Sequence, residues 1–97
     1  MKFFKYIIQS ENGLHARPAG LLVKAASEFE SKIQIYKGDD IKKFDEGILK
    51  SADAKGLFSL MGLNLKKGET FTLIANGSDE KEAVLKLEKF IKEDLHL

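Results

Sequence analysis

Gly13-Leu14-His15-Ala16-Arg17-Pro18 is a corner: it joins a run of strand composition to a segment with helical spacing. It holds one of the chain's two histidines, its only arginine and its only proline. Upstream, Lys2 to Gln9 is aromatic and β-branched and reads as a strand, with Phe4, Tyr6 and Ile8 on one face and Phe3, Lys5 and Ile7 on the other. Asn12-Gly13 breaks it. Downstream, Leu21, Leu22, Ala25, Ala26 and Phe29 form the apolar stripe of an amphipathic helix expected over Ala16 to Phe29. Pro18 fits its first turn, where a missing N–H loses nothing.

The corner is suited to one kind of chemistry. Ala16 has no side-chain oxygen to cap the first helical N–H groups, so these remain free for an anion. Arg17 adds a fixed charge; as the lone arginine against 15 lysines it is either compositional drift or a guanidinium fork needed for an oxyanion. Positive potential from both sources disfavours the imidazolium form of His15. A neutral ring keeps a lone pair for nucleophilic attack, and a phosphoryl group taken up there would face the same donors. Taken by itself, a histidine at a helix start is more often an incidental polar residue.

Composition narrows the alternatives. At 97 residues the chain is read as one domain, 1–97, with a single modest core. An apolar fraction of 43% with 32% charged residues suits a globular chain. No apolar run approaches the ~20 residues of a membrane span, and no cleavage site follows the N-terminal run, so the expectation is a cytoplasmic protein without direct membrane insertion. There are no cysteines, hence no disulfide or thiolate metal site; no metal site and no cofactor is expected. A net charge of +1 with interspersed signs argues against nucleic acid as a partner.

The remaining pattern interleaves strands and helices. Ile33 to Lys37 alternates as a strand, and Gly38-Asp39-Asp40 turns. Ile41 to Gly47 either extends a hairpin or forms an excursion with one loose turn. Ile48 to Ala52 is read as a further strand. Lys55 to Leu63 is apolar nearly all round, either a short core helix or one that leaves side chains exposed for docking. Glu69 to Ala75 is the clearest strand, with Phe71 and Leu73 on one face and Thr70, Thr72 and Ile74 on the other. Asp79 with Glu82 reads as a capping box for a helix to about Asp94 that buries Ala83, Val84, Leu87, Phe90 and Ile91. The order βαββαβα implies an α+β fold with helices on one face of an antiparallel sheet.

With those elements in place, Gly13-Leu14-His15-Ala16-Arg17-Pro18-Ala19 resembles the signature of HPr, the histidine-containing phosphocarrier of the bacterial phosphoenolpyruvate-dependent sugar phosphotransferase system. Lys55 to Leu60, Gly68, Thr70 to Ala75 and Gly77-Ser78-Asp79-Glu80 are similar to later HPr segments, in order. The resemblance implies an open-faced β-sandwich, a four-stranded antiparallel sheet with three helices on one face. It implies that His15 accepts a phosphoryl group on Nδ1 from phosphorylated enzyme I and passes it to enzyme IIA domains, assisted by Arg17 and by the helix N-terminus at Ala16 and Arg17. Leu57, Phe58 and Met61 match the family's docking patch, and Gly20 and Lys24 lie on the matching face of the first helix. The protein would be a monomeric, stoichiometric carrier, not a turnover enzyme.

Two departures stand out. Gly56 occupies the position where many HPr proteins carry a regulatory serine, so that hydroxyl is absent. Roughly ten extra residues lie between the second and third strands, within about Tyr36 to Gly47, where they are expected to form a tolerated surface loop. These departures leave room for an alternative, a regulatory HPr-like protein that binds partners without sugar transport.

Overall fold

Period-two alternation builds the sheet. The computed structural model describes residues 1–45, 47 and 51–97. Its strands are β1 (Lys2–Ile7), β2 (Lys32–Lys37), β3 (Ser51–Asp53) and β4 (Thr70–Asn76). They pair antiparallel in the order β1-β4-β2-β3, so the chain's last strand lies between its first and second. Phe4 opposes Leu73 and Tyr6 opposes Phe71, while Ile33 opposes Ala75 and Ile35 opposes both Leu73 and Ala52. Partners in register share a face, so these side chains make one continuous apolar surface. Ile48 to Lys50, read from sequence as the start of β3, lie outside the described residues.

Helices α1 (Ala16–Ala26), α3 (Leu57–Met61) and α4 (Glu80–Lys89) cover that surface. Leu22 from α1, Leu60 from α3 and Leu87 from α4 are completely or almost completely buried against the strand residues. Each such side chain stabilises the fold by about 1.5–3 kcal/mol through removal from water. The β-sandwich with one open face is thus the observed architecture, and its element order matches the sequence pattern apart from one addition.

The addition is α2 (Ile41–Asp45), within the insert. Asp40 starts it: its carboxylate accepts hydrogen bonds from the Lys42 N–H at 3.1 Å and the Lys43 N–H at 3.3 Å. Phe44 then stacks on Tyr36, with ring centroids 5.2 Å apart and 16° between planes. Tyr36 alternates with Ile33 and Ile35, so it points to the sheet face opposite α1, α3 and α4, yet it is fully buried. The insert is therefore not merely a surface loop: it covers part of the open face. On the same face of β4, Thr72 and Ile74 are also buried. The Thr72 hydroxyl meets its hydrogen-bonding need by donating to the Gly38 carbonyl at 2.8 Å.

Three local readings need correction. Helix α1 ends at Ala26, three residues short of Phe29, and its Ser27 cap hydroxyl donates back to the Val23 carbonyl at 2.7 Å. Its buried residues are Pro18, Ala19, Leu22 and Ala26, which leaves Leu21 43% exposed. Asp79 stands at the α4 N-cap but its side chain makes no capping bond. Its carboxylate instead accepts from the backbone N–H of Glu30 at 2.8 Å and of Ser31 at 2.9 Å, and from the buried Ser31 hydroxyl. A tertiary clamp with three donors outcompetes a local cap with one. Glu80 takes the local role, accepting from the Gly77 N–H at 3.2 Å.

Candidate functional site

The strand-to-helix corner is held from below by backbone. The Leu14 N–H donates to the Leu65 carbonyl at 2.9 Å, and Leu14 and Leu65 are both buried. Gly13, at φ +62°, allows this close approach: a Cβ there would lie 2.3 Å from the Leu65 oxygen. The loop thus arrives at a fixed place and angle, and His15 follows as the N-cap of α1 with extended backbone, φ −95° and ψ −174°. Its carbonyl already accepts from the Ala19 N–H at 3.0 Å.

His15, Ala16 and Arg17 are all exposed. The His15 side chain makes no capping bond, and the first turn carries no acidic residue. The N–H groups of Ala16 and Arg17 precede the first intrahelical bond, and Pro18 at the third position has no N–H. Two backbone donors, the positive end of the α1 dipole and the guanidinium of Arg17 therefore converge beside an unbonded imidazole. Among the described residues, no ion pair within 4.0 Å engages Arg17. His15 and Arg17 line one shallow depression together with Ser10, Asn12, Leu21 and Asp94. The depression is open to solvent, and Asp94 lines it together with the helix start.

The docking candidates divide by orientation. In α3 the Leu60 side chain points inward and is fully buried, whereas Phe58 is 88% exposed and Met61 38% exposed. Leu57 is half-buried and rests on the core. Both sequence alternatives for this helix are therefore realised, on opposite sides. Helix α3 packs against α1, which places this patch alongside the helix that begins at His15. On α1, Lys24 is exposed and Gly20 is half-buried with open space where a Cβ would project. Gly56 is the N-cap of α3, and a Cβ there would make only ordinary contacts, 3.5 Å from Ser59 Cβ and 3.6 Å from the Asp53 carbonyl oxygen. Space does not exclude a serine at position 56; the chain simply lacks one.

Sequence spacing does not place Leu21 or Asp94 in this depression. Leu21 was assigned to the buried stripe; the spacing Pro18, Ala19, Leu22, Ala26 is an equally regular stripe and would have left Leu21 outside. Asp94 carried no signal, because its position depends on how the last helix ends.

Comparison with known proteins places the chain in a family. A family model described as PTS HPr component phosphorylation site matches residues 3–93. The phosphocarrier protein HPr of Buchnera aphidicola subsp. Baizongia pistaciae (strain Bp) is 45% identical over 84 residues, covering 87% of each chain. The crystal structure of HPr-C-His from Thermoanaerobacter tengcongensis superposes with a TM-score of 0.80 at 34% identity, covering 100% of this chain and 98% of that one. Crh of Bacillus subtilis, a catabolite repression protein described as a swapped dimer, is 35% identical with a TM-score of 0.67, covering 91% and 90%. With the family match running through nearly the whole chain and the fold shared with the HPr structures, the protein belongs to the HPr family of phosphocarriers of the phosphotransferase system.

Proposed function

We propose that this chain carries a phosphoryl group on His15, taking it from phosphorylated enzyme I and giving it to enzyme IIA domains in phosphoenolpyruvate-dependent sugar uptake. The observation that carries the reading is the exposed, unbonded His15 at the N-cap of α1, beside free N–H groups and Arg17. In the neutral ring with its proton on Nε2, the Nδ1 lone pair attacks phosphorus. The bond to the donor breaks and its electron pair leaves with the donor. The developing charge on the phosphoryl oxygens meets the Ala16 and Arg17 N–H groups and the guanidinium. No acid residue of the first turn opposes it. Because the site is open to solvent, the same face that accepted the group can present it to the next partner.

Docking is assigned to Phe58, Met61 and the exposed edge of Leu57, with Gly20 and Lys24 on α1. A small apolar centre with a basic rim suits contacts that must form and break quickly. Regulation through a hydroxyl at position 56 is absent. The protein acts as a monomer in this reading.

The test is phosphorylation with phosphoenolpyruvate and a catalytic amount of active cognate enzyme I, followed by intact mass and nitrogen-resolved NMR. The expected result is one acid-labile phosphate on His15, discharged when enzyme IIA is added and absent in His15→Ala. Stable binding to a partner with no phosphate on His15 would refute the carrier reading and favour a regulatory binding protein.

A further inference from the structure

The last helix does not end as an α-helix. After Lys89 the chain continues as a π-turn over Phe90–Asp94, closed by a hydrogen bond from the Leu95 N–H to the Phe90 carbonyl at 2.9 Å. A wider turn changes the angular position of every residue that follows it. Asp94 thereby comes to line the depression that holds His15 and Arg17. The segment is fastened there. The Leu97 carbonyl accepts from the Gln9 N–H at 2.7 Å and the Ser10 N–H at 2.9 Å, which ties it to the loop leading into the corner. Leu97 and Ile91 are buried on either side of the turn.

Among the described residues, Asp94 is the one aspartate or glutamate lining a depression otherwise suited to hold an anion. Among the described residues, no ion pair within 4.0 Å engages it. Its charge is therefore not offset by a lysine or arginine at close range, and it lines the same depression as His15 and Arg17. Donors that only stabilise a phosphohistidine would make it reluctant to give the group away. A carrier needs the opposite influence as well. We propose that Asp94 is the counterweight: its carboxylate destabilises the phosphoryl group on His15 relative to the empty site and so raises the potential for onward transfer. This rests on the carrier reading above and names a residue that tunes it. Asp94 acts on the charge of the loaded state and takes no part in bond making. In discharge to water, the P–N bond breaks, its electron pair stays on the ring nitrogen, and the water oxygen bonds to phosphorus as its proton is released.

The test compares wild type, Asp94→Asn and Asp94→Glu. Each is equilibrated with active enzyme I at fixed ratios of phosphoenolpyruvate to pyruvate, and the loaded fraction is read by intact mass. Asp94→Asn is expected to shift the equilibrium constant toward the loaded form by roughly three- to fivefold, the size of a solvent-screened charge effect across an open depression. Asp94→Glu is expected to stay close to wild type, and the difference between variants should shrink in about 1 M salt, where the Debye length is near 3 Å. A merely structural role would move thermal stability without this charge pattern. An unchanged equilibrium in Asp94→Asn, or a shift toward the empty form, overturns the proposal while leaving the carrier reading intact. Failure of wild type to load at all overturns both, and is seen before any variant is compared.

Discussion

Gly13→Ala should damage both the fold and the phosphoryl site, because one backbone approach serves both. At φ +62° an alanine is in the left-handed region, which costs a residue with a Cβ about 1–2 kcal/mol. The new Cβ would lie 2.3 Å from the Leu65 oxygen and 3.0 Å from Lys66 Cα, both backbone atoms that no rotamer change can move. The two loops must separate, and the bond from the Leu14 N–H to the Leu65 carbonyl weakens or breaks, at about 0.5–1.5 kcal/mol. The sum is about 1.5–3.5 kcal/mol, a large share of the 5–15 kcal/mol typical of a small domain. In urea, with a slope of about 1–3 kcal/mol per molar, the midpoint should fall by roughly 1–2 M. Gly20→Ala is the control: its Cβ meets open space, and alanine gains about 0.5–1 kcal/mol in a helix. The assay is urea unfolding followed by fluorescence of the tyrosines, with phosphate acceptance measured at low urea where both variants are folded. A Gly13→Ala midpoint equal to that of wild type would refute the reasoning, since neither the positive φ nor the close approach would then be costing anything.

The remaining predictions concern separate parts of the molecule. Phe58→Ala should change stability by less than about 0.5 kcal/mol, because the side chain is 88% exposed, yet weaken docking to enzyme I; Leu60→Ala on the same helix should cost about 2–5 kcal/mol. Thermal unfolding and titration with enzyme I separate the two effects. Phe44→Ala should uncover Tyr36 and lower stability by about 1–2 kcal/mol without altering phosphate acceptance, and faster amide exchange in β2 would report it. The Asp79 carboxyl is held below the ordinary aspartate range by the Ser31 hydroxyl and the N–H groups of Glu30 and Ser31. Folding therefore favours its ionised form, and that stability is present above the unfolded value and lost as pH falls through the lowered one. Asp79→Asn should flatten the acid limb of a stability-against-pH curve, and an unchanged limb would show that the clamp does not depend on charge.

How much was legible in the chain depends on how local each cause is. Alternation in Lys2 to Gln9 and in Glu69 to Ala75 predicted two strands, found at Lys2–Ile7 and Thr70–Asn76, because the period of two is a property of consecutive residues. The corner at His15 was legible for the same reason: Asn12-Gly13, the missing cap at Ala16 and Pro18 all act within one turn. The helix end at Ala26 and the exposure of Leu21 were misread, because two apolar stripes of equal regularity run along α1 and only the sheet decides which is buried.

The sequence by itself determined the order of strands and larger helical segments, the antiparallel α+β class and the uncapped helix start at His15, since these follow from periodicity, turn chemistry and the residue types at that start. Tertiary structure decided the rest. It gave Asp79 to Ser31 rather than to its own helix, because a clamp with three donors became available only when residues far apart in sequence met. It turned Phe44 of the insert onto Tyr36, because a buried aromatic face on the open side of the sheet exists only after β2 and β4 have paired. And it brought Asp94 to the depression at His15, because the angular position of that carboxylate depends on a π-turn whose end is tied to the loop beside Ser10.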